Sequence, residues 1–241
     1  MELYYTDQKN IFANYLMITG AEAHHISKVM RHKVNDMIFV TDGQDNEYQT
    51  MIKSIDKNSI RADIINKSRK VRETTARITL AQSVIKGNHM DFVIEKAAEL
   101  GAHEIIPIIT ERTIASVSDK KIERYQKIML AAMKSSTRTH LPKIIKPIAF
   151  DKLLDMIDQF DIVLVAYEEE ERNNRLTNVL PKNELSKILL IIGPEGGFSN
   201  AEISKVKTRG AKSFSIGPRR FRAETAALAA LSVLLYELKE I

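Results

Sequence analysis

Ile188-Leu189-Leu190-Ile191-Ile192-Gly193-Pro194-Glu195-Gly196-Gly197-Phe198-Ser199 runs from unbroken apolar sequence into glycine, and from glycine into a capping residue. Five apolar residues in a row, too few for a globular helix, predict a strand buried on both faces. A buried strand that empties into glycine can present backbone N–H groups to a ligand with no side chain in the way. Ser199 and Glu202 have capping-box spacing, so a helix is expected to start there. Taken alone, an ordinary tight βα turn would look the same. A second stretch weighs against that. Lys212 to Ile216 alternates apolar and polar residues and predicts another short strand. It ends in Gly217-Pro218-Arg219-Arg220-Phe221-Arg222, after which Ala223-Glu224-Thr225 leads into an apolar helix to about Leu238. Two strands that both end in Gly-Pro loops before helices bring two carboxyl-end loops together at the edge of a parallel sheet, where open α/β sheets bind ligands.

Outward from this pair the same alternation continues. Arg77 to Ile85 predicts a strand, Lys86-Gly-Asn-His-Met90 a turn, and Asp91 to Leu100 a helix stopped by Gly101. His103 to Ile109 is the next strand, with Pro107 implying an edge or a bend. Asp119 to Ser136 and Ile148 to Phe160 read as helices, and Asp161 to Ala166 as a strand. Strands alternating with helices predict a mostly parallel α/β domain. Residues 1 to about 66 differ. A short helical segment, Ala21 to Arg31, precedes strand candidates Met37–Thr41, Tyr48–Ile52 and Ser59–Ile65, with hairpin chemistry at Asp42-Gly43-Gln44-Asp45-Asn46. These suggest a small barrel or curled sheet. The charged stretch Asn66 to Thr75 marks the boundary.

The chain has 241 residues, ample for one large or two modest domains. It has no cysteine, which removes disulfides, Cys-ligated zinc and a thiol nucleophile, and fits a reducing cytoplasm. The N-terminus lacks a basic segment followed by an apolar run, so no signal peptide is expected, and no apolar stretch approaches membrane-spanning length. A net charge of +5 is permissive of a polyanionic partner.

The glycine loops lack the Lys-Ser/Thr end of a P-loop and the spaced glycines of a dinucleotide fingerprint, which excludes NTP hydrolysis and nicotinamide redox chemistry. The histidines are scattered or adjacent and offer no metal-ligand spacing, so no metal is expected. Glu168-Glu-Glu-Glu171 reads as a solvated acidic loop, with the alternative that it walls the ligand crevice. Arg219, Arg220 and Arg222 suit phosphate capture through the planar guanidinium fork, or else pair with Glu195 or Glu224.

Gly193-Pro-Glu-Gly-Gly-Phe-Ser199, followed by Gly217-Pro-Arg-Arg-Phe-Arg-Ala-Glu-Thr-Ala226, resembles the paired C-terminal motifs of the ribosomal RNA small-subunit methyltransferase E family. Lys96-Ala-Ala-Glu-Leu-Gly101 with Pro107 and Glu111-Arg112 is similar to its middle block, and His24-His25 to Arg31 with Asp42-Gly43 to its N-terminal block. The resemblance covers essentially the whole chain. It implies a PUA-like RNA-binding β-barrel over residues 1–70 and a SPOUT-type α/β methyltransferase domain with a deep trefoil knot over 71–241, in a cytoplasmic homodimer. The implied reaction transfers a methyl group from S-adenosylmethionine to N3 of a uridine in 16S ribosomal RNA of the small ribosomal subunit. The sequence departs from the family pattern at Asn35, where glycine is usual, at Lys134-Ser135, where a Glu-Gln pair is usual, and at Arg220, where an apolar residue is usual. These touch RNA contacts more than the activity.

On that resemblance Ile192, Gly193, Gly197, Ile216 and Gly217 are expected to cradle the cofactor, with Phe221, Thr225 and Ala226 closing the pocket. Uridine N3 carries a proton at neutral pH. Glu224 is a candidate base; alternatively Arg222 stabilises the uridinate while water takes the proton, and Glu224 only holds Arg219 or Arg222. Arg31, Lys33, Arg69, Arg112, Arg138 and Arg219 are the candidate RNA contacts. Two other readings remain at this point: a SPOUT methyltransferase acting on another RNA, and a non-catalytic RNA-binding ribosome-assembly factor.

Overall fold

The computed structural model describes residues 2–181 and 183–241, so Met1, which opens the first expected domain, and Lys182 lie outside the described residues. The chain divides into two units: Met1–Glu73 with Leu130–Leu141, and Thr74–Met129 with Pro142–Ile241.

The first unit is a curled five-stranded sheet. Its strands are β1 (Leu3–Tyr5), β2 (Tyr15–Thr19), β3 (Met37–Thr41), β4 (Asn46–Ile55) and β5 (Ser59–Arg69), in the order β1-β3-β4-β5-β2. β1 lies parallel to β3, and the other pairs are antiparallel. Leu16 and Ile18, Ile38 and Val40, and Ile60 and Ala62 alternate along their strands onto one buried face. Register shifts in β4 at Gln49/Thr50 and Ile52/Ser54 bend the sheet. The hairpin before β4 is built as its residues suggest: the Asp42 carboxylate accepts from the backbone N–H of Gln44 and the side-chain amide of Asn46. β1 and β2 escaped the sequence reading because each is short and flanked by polar residues.

Helix α1 (Gly20–His24) runs on as a π-helical turn to Val29, and Arg31 follows at φ 61°. Asn35 sits at φ 76°. Asparagine tolerates this left-handed region better than other non-glycine residues.

The second unit carries a parallel sheet of β6 (Arg77–Ser83), β7 (Glu104–Ile109), β8 (Lys143–Ile144), β9 (Ile148–Ala149), β10 (Ile162–Ala166), β11 (Lys187–Ile192) and β12 (Lys212–Phe214). Its order is β12-β10-β11-β6-β7-β8, with β9 also on β7. Ile188 to Ile192 is buried throughout, as a doubly covered strand requires. This unit also holds α2 (His89–Leu100), α4 (Phe150–Leu154), α5 (Leu176–Val179), α6 (Asn200–Thr208) and α7 (Ala223–Glu237), while α3 (Asp119–Ser135) begins in it and passes into the first unit at Leu130.

Local signals are realised closely. Ser199 and Glu202 form the reciprocal capping box of α6. Gly101 ends α2 in the left-handed conformation at φ 108°, with Ala102 N–H bonded to the Ala97 carbonyl. Two expectations change. Ile148 to Phe160 is not one helix but the strand β9, the five-residue α4 and a 3-10 turn at Ile157–Gln159. Its apolar spacing was satisfied by core packing of Phe150, Leu153, Leu154 and Ile157 without continuous helix. Pro107 lies within β7, but where the strand's outer neighbour passes from β8 (opposite Glu104 and Ile105) to β9 (opposite Ile108 and Ile109). A residue with no N–H is tolerated at that break.

Candidate active site

β10, β11 and β12 end side by side, and the loops leaving them enclose one cleft. Ala166, Tyr167 and Glu168 follow β10; Ile192, Gly193, Pro194, Glu195 and Gly197 follow β11; Ser215, Ile216 and Gly217 follow β12. Arg219, Arg220, Phe221, Ala223 and Ala226 complete the wall. The two glycine loops therefore do meet, and β10 lies between their strands because β12 pairs with β10 rather than β11.

Glycine is needed at specific points. Gly197 stands at φ 69°, and a Cβ there would collide with the Glu168 carboxylate. A Cβ at Gly193 would come within 3.0 Å of the Phe198 ring. Gly217 is at φ 129°. Arg112 locks the loop from outside: its Nη1 donates to the Gly196 carbonyl at 2.8 Å and its stem covers Gly196. That contact gives Arg112 a loop-holding role in addition to any role toward RNA.

Of the expected cofactor residues, Ile192, Gly193, Gly197, Ile216, Gly217, Phe221 and Ala226 line the cleft. Thr225 does not; it is exposed on the first turn of α7, one residue from Ala226 but rotated off the cleft face by the helical repeat. Glu168 lines the cleft as the alternative reading of the acidic run had it, and Arg220 lines it beside Arg219; missed by sequence were Tyr167, Ser215 and Ala223. The available signal was that three strands, not two, end at this edge. The acidic run is also less uniform than a solvated loop. Burial by itself would raise the Glu170 carboxyl, but hydrogen bonds from Ser213 and Lys207 outweigh it and hold the group below the usual carboxylate range. The Tyr167 phenol, pushed up to about 12 by burial and by its hydrogen bond to Glu169, stays protonated at neutral pH and is no base.

Beside the cleft, sharing Glu195, Arg220 and Phe221 with it, is a second hollow lined also by Lys86, His89, Arg222 and Glu224. Arg222 is exposed and stands at the N-cap of α7. Among the described residues no ion pair joins Glu195 or Glu224 to Arg219, Arg220 or Arg222. Glu195 instead accepts from the Lys86 backbone N–H, and Glu224 lies 3.2 Å from His89 Nδ1. The expectation that Glu224 holds an arginine is thereby corrected: α2 brings a histidine closer. Arg219 is exposed at the mouth, its guanidinium over the Phe221 ring at 5.9 Å.

In the first unit Arg31, Lys33 and Arg69 are exposed. Arg138 is not. Its side chain is 4% exposed and paired at 2.7 Å with Glu73, itself 6% exposed. The same carboxylate accepts from the backbone N–H groups of Thr139 and His140. Arg138 is a structural residue, and its place among the RNA contacts is withdrawn. Removing one partner of a buried pair leaves the other uncompensated. Arg138→Ala is expected to cost about 3–5 kcal/mol of stability, read as a lowered denaturation midpoint; a loss below about 1 kcal/mol, the range of exposed pairs, would return the residue to the surface. Lys134 turns inward too, with Nζ at 2.9 and 2.7 Å from the two Glu22 oxygens.

Among the described residues no three histidine or carboxylate side chains gather to hold a metal, and no helix is long and apolar enough to cross a membrane.

Residues 72–235 match the family model of an RNA methyltransferase domain, and residues 18–65 that of an RNA methyltransferase PUA domain. Fold and site together thus define an RNA methyltransferase with an added PUA domain. The chain is 33% identical over 230 residues to the ribosomal RNA small subunit methyltransferase E of Bacillus subtilis, covering 91% of this chain and 89% of that one. With the enzyme of the same name from Mesomycoplasma hyopneumoniae it shares 33% identity over 218 residues, 89% and 91% of the two chains. The chain belongs to the ribosomal RNA small subunit methyltransferase E family. Among solved structures, that of the Neisseria gonorrhoeae member bound to S-adenosyl methionine matches with a TM-score of 0.88 at 27% identity, covering 98% of this chain and 97% of that one. A Legionella pneumophila protein solved with the cofactor SAM bound matches with 0.83 at 28% identity, covering 97% and 96%.

Proposed function

We propose that this chain transfers the methyl group of S-adenosylmethionine to N3 of a uridine in 16S ribosomal RNA. The observation that carries the proposal is the cleft at the carboxyl ends of β10, β11 and β12, open to glycine backbone and bordered by an arginine-bearing hollow. The residues present fit the donor. Gly193, Gly197 and Gly217 line the cleft where a Cβ or an ordinary φ would not serve, and Ile192, Ile216, Phe221 and Ala226 give it apolar walls. Glu168 and Glu195 place negative charge at a cleft meant for a cationic sulfonium. When bound, S-adenosylmethionine supplies an activated methyl group, so the protein's task is alignment and preparation of the nucleophile.

N3 lies on the pairing edge of uridine, so the target base must be unpaired or turned out of its stack. Arg222 lines the hollow beside the cleft but not the cleft wall, which supports the reading that it stabilises the negative charge spreading onto the uridine carbonyl oxygens when N3 loses its proton. Arg31, Lys33 and Arg69 in the first unit and Arg219 in the second, all exposed, supply phosphate contacts indifferent to base sequence. RNA affinity is therefore expected to fall steeply and linearly on a log–log plot of binding constant against salt; a flat response would remove the phosphate contacts. The reading includes the trefoil knot, a cytoplasmic setting and a homodimer, the last supported by Val233 and Tyr236 exposed on α7.

The test is to incubate labelled S-adenosylmethionine with small ribosomal subunits and with naked RNAs, then map the modified nucleoside. Label on N3 of one small-subunit uridine is expected. Label on another RNA or atom refutes the substrate, and no label on any RNA, with donor still bound, refutes the enzyme.

A further inference from the structure

The hollow next to the cofactor cleft contains a histidine that neither the motif pattern nor the glycine loops single out. His89 opens α2 and Glu224 lies in the first turn of α7, two helices packed against each other. Nδ1 of His89 stands 3.2 Å from Glu224 Oε1; the glutamate side chain is 13% exposed and the imidazole 52%. One ring nitrogen is thus turned to a nearly buried carboxylate while the ring remains open to the hollow. A carboxylate at that distance attracts a nitrogen bearing a proton and repels a lone pair. It therefore selects the Nδ1–H tautomer and leaves the lone pair on Nε2.

The surroundings suit a proton transfer. The charged groups that face the pair are Lys86 from the loop after β6, Glu195 from the loop after β11, and Arg220 and Arg222 from the loop before α7. Glu195 accepts from the Lys86 backbone N–H, and the Lys86 ammonium and the two guanidiniums are the cations lining the hollow where an anion would form. The hollow and the cofactor cleft share Glu195, Arg220 and Phe221, so a base in the hollow stands next to the cleft.

We propose that His89 Nε2 is the acceptor of the uridine N3 proton and that Glu224 is the positioning residue that holds its tautomer. The proposal rests on the methyltransferase reading above and assigns the proton path within it. The N3–H bond breaks and its electron pair stays on N3, where it forms the new N–C bond as the sulfonium–methyl bond breaks toward sulfur. The proton resides on Nε2 and passes to solvent through the exposed edge of the ring.

The test uses His89→Gln, His89→Lys and Glu224→Gln in the full chain. Lysine at 89 keeps a cation opposite Glu224 but offers no lone pair at neutral pH, so it separates a base from an ion pair. Both His89 variants are expected to lose about 10²–10⁴-fold in turnover, the usual range for general base catalysis, with S-adenosylmethionine affinity by calorimetry unchanged. The pH–rate profiles of the wild type and of His89→Lys are expected to differ. Independently of activity, nitrogen NMR of the wild type at neutral pH is expected to show His89 protonated at Nδ1, a preference lost in Glu224→Gln. Wild-type turnover and pH profile in His89→Lys, or an Nε2–H tautomer in the wild type, overturns the proposal. A wild type that binds donor but methylates no uridine overturns the methyltransferase reading itself, and is told apart by needing no variant.

Discussion

Gly197→Val is expected to leave S-adenosylmethionine binding undetectable by calorimetry while the protein remains folded by thermal melt. Two costs combine at this residue. A φ of 69° is left-handed, and a branched side chain held there costs about 1–2 kcal/mol or more. The Cβ also enters the space of the Glu168 carboxylate, on the cleft wall. The loop can escape strain only by rotating, which breaks the 2.9 Å turn bond from Gly197 N–H to the Pro194 carbonyl and moves Gly196 off Arg112. Gly197→Ala separates the two costs. The carboxylate is the free end of a flexible side chain and can swing aside, so alanine is expected to weaken binding about tenfold rather than abolish it, consistent with about 1–2 kcal/mol of strain. If the shared contact matters, Glu168→Ala and Gly197→Ala are expected to be non-additive. Donor affinity unchanged in Gly197→Val would place the cofactor elsewhere.

Arg222→Ala is expected to lower turnover by about 10²–10³-fold, the usual effect of removing one donor to a developing oxyanion, with donor affinity within about twofold of wild type. The split follows from position. Arg219 and Arg220 line the cofactor cleft, whereas Arg222 lines only the neighbouring hollow with Lys86, His89 and Glu224. An interaction made with charge that develops during reaction lowers turnover and leaves ground-state binding intact. Arg222→Lys is expected to recover part of the loss, since the charge returns without the planar fork. Equal losses of turnover and donor affinity would reassign Arg222 to holding the N-terminus of α7.

The elements legible in the sequence were those specified by neighbours in the chain. Ser199 and Glu202 are three residues apart, and their capping box follows from that spacing alone. Gly101 ends α2 because only glycine enters the left-handed region without cost. The apolar run of β11, too short for a globular helix, reads as a strand covered on both faces, and it is buried throughout. The failures occurred where distant residues decided. Ile148 to Phe160 has helical spacing, but its apolar residues are buried by other elements, and the helix stops after one turn and a half. Arg138 was read as an RNA contact, and only its meeting with Glu73, 65 residues earlier, makes it half of a buried ion pair.

The sequence by itself determined that two glycine loops follow two strands, the first of them buried, and that arginines lie just beyond the second. Short-range sterics and capping suffice for this, because they act within a few residues. It did not determine that β10 lies between those strands, that Glu168 closes over Gly197, or that Thr225 turns away from the cleft. Nor did it place His89 against Glu224, 135 residues later. Those are consequences of strand order and of α2 packing on α7. Side chains far apart in the chain meet only once burial of the sheet has fixed which loops share an edge.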